Sequence, residues 1–227
     1  MTLPDCASDL GPLHAYPTAD GSFSLQSERF GEAFHNSAGA RNEAVAKFAV
    51  PAQLERFGNG APLRVLDVCV GLGYNSAVVL EALPSPAPEL QWWGLELDRR
   101  PLALALSQLD FRNSWSPTVL QILKQMRDHG RWHHPCSSGE LLWGDARRML
   151  RAIPEQQRFD LILQDAFSPQ RCPELWTEEF LAGLAARLAA GGRLLTTSGR
   201  RQPPKRSPAP RHSVRLVRES ELDPLVP

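Results

Sequence analysis

The sequence predicts an α/β protein with a mostly parallel sheet and helices on both faces, and three observations predict it. Short apolar runs alternate with helical patterns, a glycine loop follows the first run, and acidic residues recur where the runs end. Right-handed crossovers between parallel strands leave this kind of alternation in a sequence. The run Leu63–Cys69 passes through Gly71 and Gly73 into a helical pattern at Asn75–Leu83. Gln91–Leu97 is followed by Pro101–Asp110, and Glu140–Trp143 by Ala146–Ile153; Phe159–Asp165 and Arg193–Thr197 complete the strands.

Between the second and third runs the chain is longer than one crossover needs. Ser116 and Pro117 read as an N-cap and first helical position, and Val119, Leu123, Met126 and Gly130 follow at helical spacing, so an extra helix is expected there. After the fourth run, Thr177 reads as an N-cap with Glu178 and Glu179 facing the positive end of the helix dipole. The same helix is expected to bury Phe180, Leu181, Leu184 and Leu188 and to close at Gly191 and Gly192.

With 227 residues, 42% hydrophobic and 22% charged, the chain suits one buried α/β domain. The expected organisation is an N-terminal extension over 1–19, a domain over 20–198, and a basic, proline-rich tail over 199–227 with little to bury, disordered or at most extended. Formal net charge is +0, so contact with a polyanion would have to come from a local patch. Cys6, Cys69, Cys136 and Cys172 are widely spaced, which suits a reducing compartment and neither a zinc knuckle nor a disulfide framework. Met1–Gly11 lacks a signal-like pattern, and no apolar run reaches the ~18 residues of a membrane helix. A cytoplasmic protein is expected.

Gly71 and Gly73 permit a tight turn and let backbone N–H groups at the start of a helix approach a ligand. A dinucleotide loop would carry a third glycine where Ser76 stands, and Asp67 lies before the loop. An acidic residue there suits S-adenosylmethionine, which is cationic at its amino and sulfonium groups and carries no phosphate; a generic strand–turn–helix is the alternative. Glu96, at the end of the second run, stands where a carboxylate grips a ribose diol. Asp98 could do the same or cap the following helix. Asp145, after the third run, could accept from an adenine amino group with Trp143 or Ala146 against the ring, or cap Ala146–Ile153.

The fourth run delivers Asp165 beside the glycine loop, where a carboxylate can orient an amine nucleophile and stabilise the positive charge that builds on its nitrogen. Phe167 could stack on a planar substrate; core packing for Phe167 and a turn ahead of Pro169 for Asp165 are the alternatives. His133, His134 and Cys136 lack metal-ligand spacing and read as a polar loop, so no metal is expected. No Gly-x-Ser-x-Gly hydrolase elbow occurs.

Taken together, Asp67 through Asn75, Glu96, Gly144-Asp145 and Asp165-Ala166-Phe167-Ser168-Pro169 followed by Pro173-Glu174-Leu175-Trp176 resemble a known family. It is the methyltransferase domain of the bacterial tRNA 5-methylaminomethyl-2-thiouridine modification enzymes. Asp20-Gly21-Ser22, the stretch Glu28 through Ala40, and Glu43 look like that family's N-terminal segment. The resemblance covers about Asp20 to Ser198 and implies a Rossmann-like class I methyltransferase that uses S-adenosylmethionine on the exocyclic aminomethyl nitrogen of wobble uridine, with the tRNA anticodon arm as partner and no membrane. It implies Asp165 and Phe167 as catalytic residues, and Asp67, Gly71, Gly73, Asn75, Glu96 and Asp145 as cofactor-binding residues. Some family members carry a fused flavin-dependent oxidase; here the amine is expected from another route.

Two departures stand out. Cys69 occupies the place of the family's first loop glycine, and no strand pattern is evident after Gly199, so the final strands are expected to be missing and a sheet edge left open. Two other readings remain: an aminopropyltransferase of the polyamine synthase type, although no second acidic cluster follows Asp165, and a non-catalytic binding protein of the same fold.

Overall fold

The structure, a computed structural model, describes residues 10–196 and the backbone of 213–216. Strands β1 (Leu13–Tyr16), β2 (Ser24–Ser27) and β3 (Glu32–Ala33) form a small antiparallel sheet in that order. They are too short to show an alternating pattern in sequence, and β1 lies ahead of Asp20, within the stretch read as an extension. Helix α1 (Ala40–Ala44), a π-helical turn (Val45–Ala49) and α2 (Val50–Ala52) follow without a break. The widened turn comes just before Pro51, which lacks an N–H and crowds the carbonyl four residues back.

The main sheet is built from β4 (Leu63–Val68), α3 (Tyr74–Glu81), β5 (Leu90–Glu96), α4 (Arg100–Ser107), α5 (Leu109–Asn113), α6 (Pro117–His129), β6 (Arg131–His134), β7 (Ser137–Trp143), α7 (Ala146–Ala152), β8 (Phe159–Gln164), a 3-10 turn (Pro173–Leu175), α8 (Glu178–Ala186), β9 (Leu188–Thr196) and β10 (Ser213–Leu216). Its order is β10-β9-β8-β4-β5-β7-β6, and every pairing is parallel except β6 with β7. This is the Rossmann-like α/β class that the sequence predicts. One core packs beneath α1 to α6, through Phe48, Val65, Leu102, Leu123 and Met126 among others. The opposite face packs Leu66, Ile162, Leu194 and Phe159 against Leu150 of α7 and Phe180 and Leu184 of α8.

Several boundaries differ from expectation. Ser116 caps α6 by accepting the Val119 N–H, and Gly130 ends it in the left-handed region at φ 65°, both as read from sequence. Pro101–Asp110 is not one helix: Gln108 is extended, at φ −82° and ψ 131°, and separates α4 from α5. Thr177 caps α8, but that helix stops at Ala186 with Arg187 as its C-cap. Gly191 and Gly192 therefore lie inside β9, as does Leu188, where the pairing with β8 shifts register. The His133–His134 stretch is a strand, not a loop; β6 is an exposed edge whose inward residue, Trp132, pairs with Gly139 and covers it. Of the final strands expected to be missing, one is present. The β10 backbone runs parallel to β9 from Ser213 opposite Arg193 to Leu216 opposite Thr196. The remainder of the basic tail lies outside the described residues.

Candidate active site

Strands β8, β4, β5 and β7 are neighbours and parallel, so their carboxyl ends share one rim of the sheet. That rim carries Asp165, the Asp67–Gly73 loop, Glu96 and Asp145 in spatial order. A loop of this kind at the point where strand order reverses is where α/β sheets bind ligands.

The loop turns through three left-handed residues, Cys69 at φ 66°, Gly71 at φ 57° and Gly73 at φ 89°. Cys69 is thus a side-chain-bearing residue in a conformation that favours glycine. Burial pushes its thiol well above the ordinary range, so it stays protonated and is a poor nucleophile. Gly71 donates its N–H to Glu96 Oε2 at 2.7 Å, and the Asp98 N–H donates to Glu96 Oε1 at 2.8 Å. Glu96 therefore clamps the loop from the neighbouring strand. Gly73 begins α3; a Cβ there would sit 3.0 Å from Leu102 Cδ1 and 3.3 Å from Leu123 Cδ2, so its bareness serves helix packing. A Cβ on Gly71 would sit 3.3 Å from Phe34 Cδ1.

Asp67 is fully buried. Its Oδ2 pairs with the Ser76 hydroxyl at 2.6 Å, while Oδ1 has no partner among the described residues. Burial pushes Asp67 up to about 7, with the nearby charges of Asp165 and Glu96 adding to the effect. Burial pushes Glu96 up to about 7 too, against the opposing pull of its backbone N–H partners. Neither carboxylate has an ion-pair partner among the described residues.

Asn75, buried at the start of α3, donates from Nδ2 to Asp165 Oδ2 at 2.7 Å. The Asp165 N–H continues the β4–β8 ladder by donating to Val68 O at 3.2 Å. The structure thus brings Asp67, Gly71, Asn75, Glu96 and Asp165 together. Asp145 shares the rim but is otherwise engaged. Its Oδ1 accepts the Arg147 N–H at 2.9 Å to cap α7, and its Oδ2 meets the Arg147 guanidinium at 2.5 Å, which holds the carboxyl below its usual range. Asp98 likewise serves a helix start, accepting the Arg100 N–H and pairing with its guanidinium.

Phe167 is half-buried in an aromatic group. Phe30 stacks on it at 4.6 Å between centroids and 27° between planes, and Phe34 meets it edge-on at 4.9 Å. Its carbonyl accepts the Trp176 indole N–H at 2.7 Å. One face of Phe167 is therefore covered, and a planar substrate could use only the other. Phe30, Glu32 and Phe34 are the residues of this site to which sequence reasoning gave no role. Their signal was a Phe-x-Glu-x-Phe spacing, which the turn at Gly31 keeps from being a strand pattern.

Residues 110–201 match the model of an S-adenosyl-L-methionine-dependent methyltransferase family. An uncharacterized protein of Methanocaldococcus jannaschii is 29% identical over 184 residues, covering 80% of this chain and 49% of that protein. The tRNA 5-methylaminomethyl-2-thiouridine biosynthesis bifunctional protein MnmC of Aromatoleum aromaticum is 29% identical over 193 residues, covering 75% of this chain and 28% of that protein. Among solved structures, MNMC2 from Aquifex aeolicus superposes with a TM-score of 0.70 at 29% identity, covering 85% of this chain and 61% of the other. The chain spans about half or less of the curated relatives it matches. The resemblance to this methyltransferase domain is borne out by sequence and fold alike.

Proposed function

We propose that this chain, a relative of the S-adenosylmethionine-dependent methyltransferases, transfers a methyl group from that cofactor to the exocyclic aminomethyl nitrogen of a wobble uridine in tRNA. The observation that carries the reading is Asp165, held by Asn75 at 2.7 Å beside a glycine loop flanked by Asp67 and Glu96, two buried carboxylates with no ion-pair partner among the described residues. The similarity to MnmC supports tRNA as the acceptor.

The residues present fit the cofactor. Asp67 Oδ1 is buried with no hydrogen-bond partner among the described residues, an arrangement that a cationic or hydroxyl-bearing ligand would relieve. Asp67, the Gly71 turn and Glu96 would hold the cofactor, Glu96 through lone pairs left over from its two backbone partners. Asp145, tied to Arg147, is left out of this assignment. When bound, the cofactor supplies an activated methyl on a sulfonium.

On the acceptor side, an alkylamine with a pKa near ~10 is mostly protonated at neutral pH. Asp165 binds and orients it, and the neutral form must be reached before its lone pair is available. As the new C–N bond forms, nitrogen gains positive charge, which the fixed carboxylate stabilises. Alignment of the nucleophile by Asp165 and Phe167 supplies much of the remaining rate enhancement.

The test uses recombinant protein, methyl-labelled S-adenosylmethionine and two tRNA preparations, with and without the aminomethyl uridine. Label is expected in the modified nucleoside of the first alone. Normal cofactor binding with no label in either preparation would overturn the reading.

A further inference from the structure

The segment from Phe30 to Phe34 crosses the loop that follows β8. Phe30 stands in the turn that joins β2 to β3, Glu32 begins β3 and Phe34 follows it, and all three side chains reach the same loop. Phe30 and Phe34 hold the Phe167 ring, while Glu32 accepts the Ser168 N–H at 3.1 Å and 3.2 Å on its two oxygens and the Ser168 hydroxyl at 2.5 Å. The segment is itself fixed. The Phe34 N–H donates to Leu25 O at 2.9 Å, and Ser27 stands opposite Glu32 in the β2–β3 ladder. Phe34 also lies against Gly71, so this one segment touches both the cofactor loop and the acceptor loop.

We propose that Glu32 is a positioning residue for methyl transfer: its carboxylate latches Ser168 and thereby fixes the Asp165–Phe167 turn toward the acceptor. The inference rests on the function proposed above. Without Glu32 the turn would keep the Trp176 N–H on the Phe167 carbonyl and the ring contacts of Phe30 and Phe34, which tolerate sliding, whereas charge-assisted hydrogen bonds to both the backbone N–H and the hydroxyl of Ser168 set direction as well as distance. A displacement of an ångström at Asp165 is enough to spoil alignment of a nucleophile with its methyl donor.

The experiment compares wild type, Glu32→Gln, Ser168→Ala and the double variant, by labelled methyl transfer to aminomethyl-uridine tRNA and by amide hydrogen exchange. Glu32→Gln is expected to lower kcat at least tenfold, to leave the Kd for S-adenosylmethionine within twofold, and to speed exchange in 165–171 while β4 stays protected. Ser168→Ala retains the backbone donor and should lose less. In the Glu32→Gln background it should lose almost nothing further, because the two groups form one contact. Should Glu32→Gln fail to fold, Ser168→Ala carries the test alone, with faster exchange in 165–171 and a several-fold loss of kcat expected. An unchanged kcat or unchanged exchange in the folded variants would overturn the role of Glu32. A wild-type protein without transfer would instead overturn the underlying methyl-transfer reading, and the latch's role with it.

Discussion

Asp67 and Glu96 are two carboxylates whose burial raises them from ordinary values of 3.8 and 4.5 to about 7. The folded protein holds their protons more tightly than the unfolded chain does. Their contribution to stability is therefore fully present below about pH 4 and is lost as pH rises through about 7. A ligand that meets them with a cation or hydroxyl donors favours the ionised forms, so binding releases protons. S-adenosylmethionine should bind roughly three- to tenfold more tightly at pH 8 than at pH 6. Calorimetry in buffers of different ionisation enthalpy should detect the released protons, and Asp67→Asn should remove much of the dependence. Affinity that is flat between pH 6 and pH 8 would show that these carboxylates do not meet the ligand. Asn75 offers a second test. Expected from sequence to hold cofactor, it donates to Asp165 from its side-chain amide. Asn75→Ala should lower kcat about tenfold with little change in cofactor Kd, a split that a direct cofactor contact would reverse.

At the level of elements, signals confined to a few neighbouring residues were legible. Ser116, Thr177 and Gly130 terminate their helices as their side-chain chemistry dictates, because a cap depends on atoms within one turn. Gly191 and Gly192, expected to close α8, misled for the opposite reason: a left-handed glycine such as Gly191 closes a helix or irregularises a strand equally well, and pairing with β8 decided the matter. Strand β6 was hidden by its polar composition, since an edge strand with one buried residue carries no alternating pattern. One buried glycine, Gly94, shows how the sheet interior is fitted to its tryptophans. A Cβ on Gly94 would lie 2.1 Å from Trp92 Cη2 and 2.7 Å from Leu141 Cδ1. With no room for a methyl group, Gly94→Ala should destabilise the protein by about 1–3 kcal/mol. Urea unfolding at equilibrium measures this, and a loss under ~0.5 kcal/mol would mean that the indole ring can move aside.

Across the whole molecule, the parallel core and the gathering of Glu96, Asp145 and Asp165 on one rim follow from alternation alone, since every parallel strand delivers its last residue to the same edge. The cover over that rim does not follow. Glu32 and Ser168 are separated by more than a hundred residues of chain, and no local pattern encodes their contact. One strand at the far edge of the sheet was not foreseen, for a similar reason. Composition around β10 is basic and rich in proline, yet Ser213–Leu216 pairs in parallel with Arg193–Thr196 of β9. Without that pairing β9 would present backbone N–H and C=O groups along a stretch that includes the apolar Leu194 and Leu195, a template for joining another chain. A chain ended after Ser198 should therefore self-associate at concentrations where the full chain does not, and should unfold at lower temperature. Light scattering coupled to size exclusion, with thermal melts of both lengths, tests this. If the shorter chain stays in the same oligomeric state and melts at the same temperature, β10 does not protect the sheet, and the edge must be guarded by the charge of Arg193 and the irregular pairing near Gly191 and Gly192.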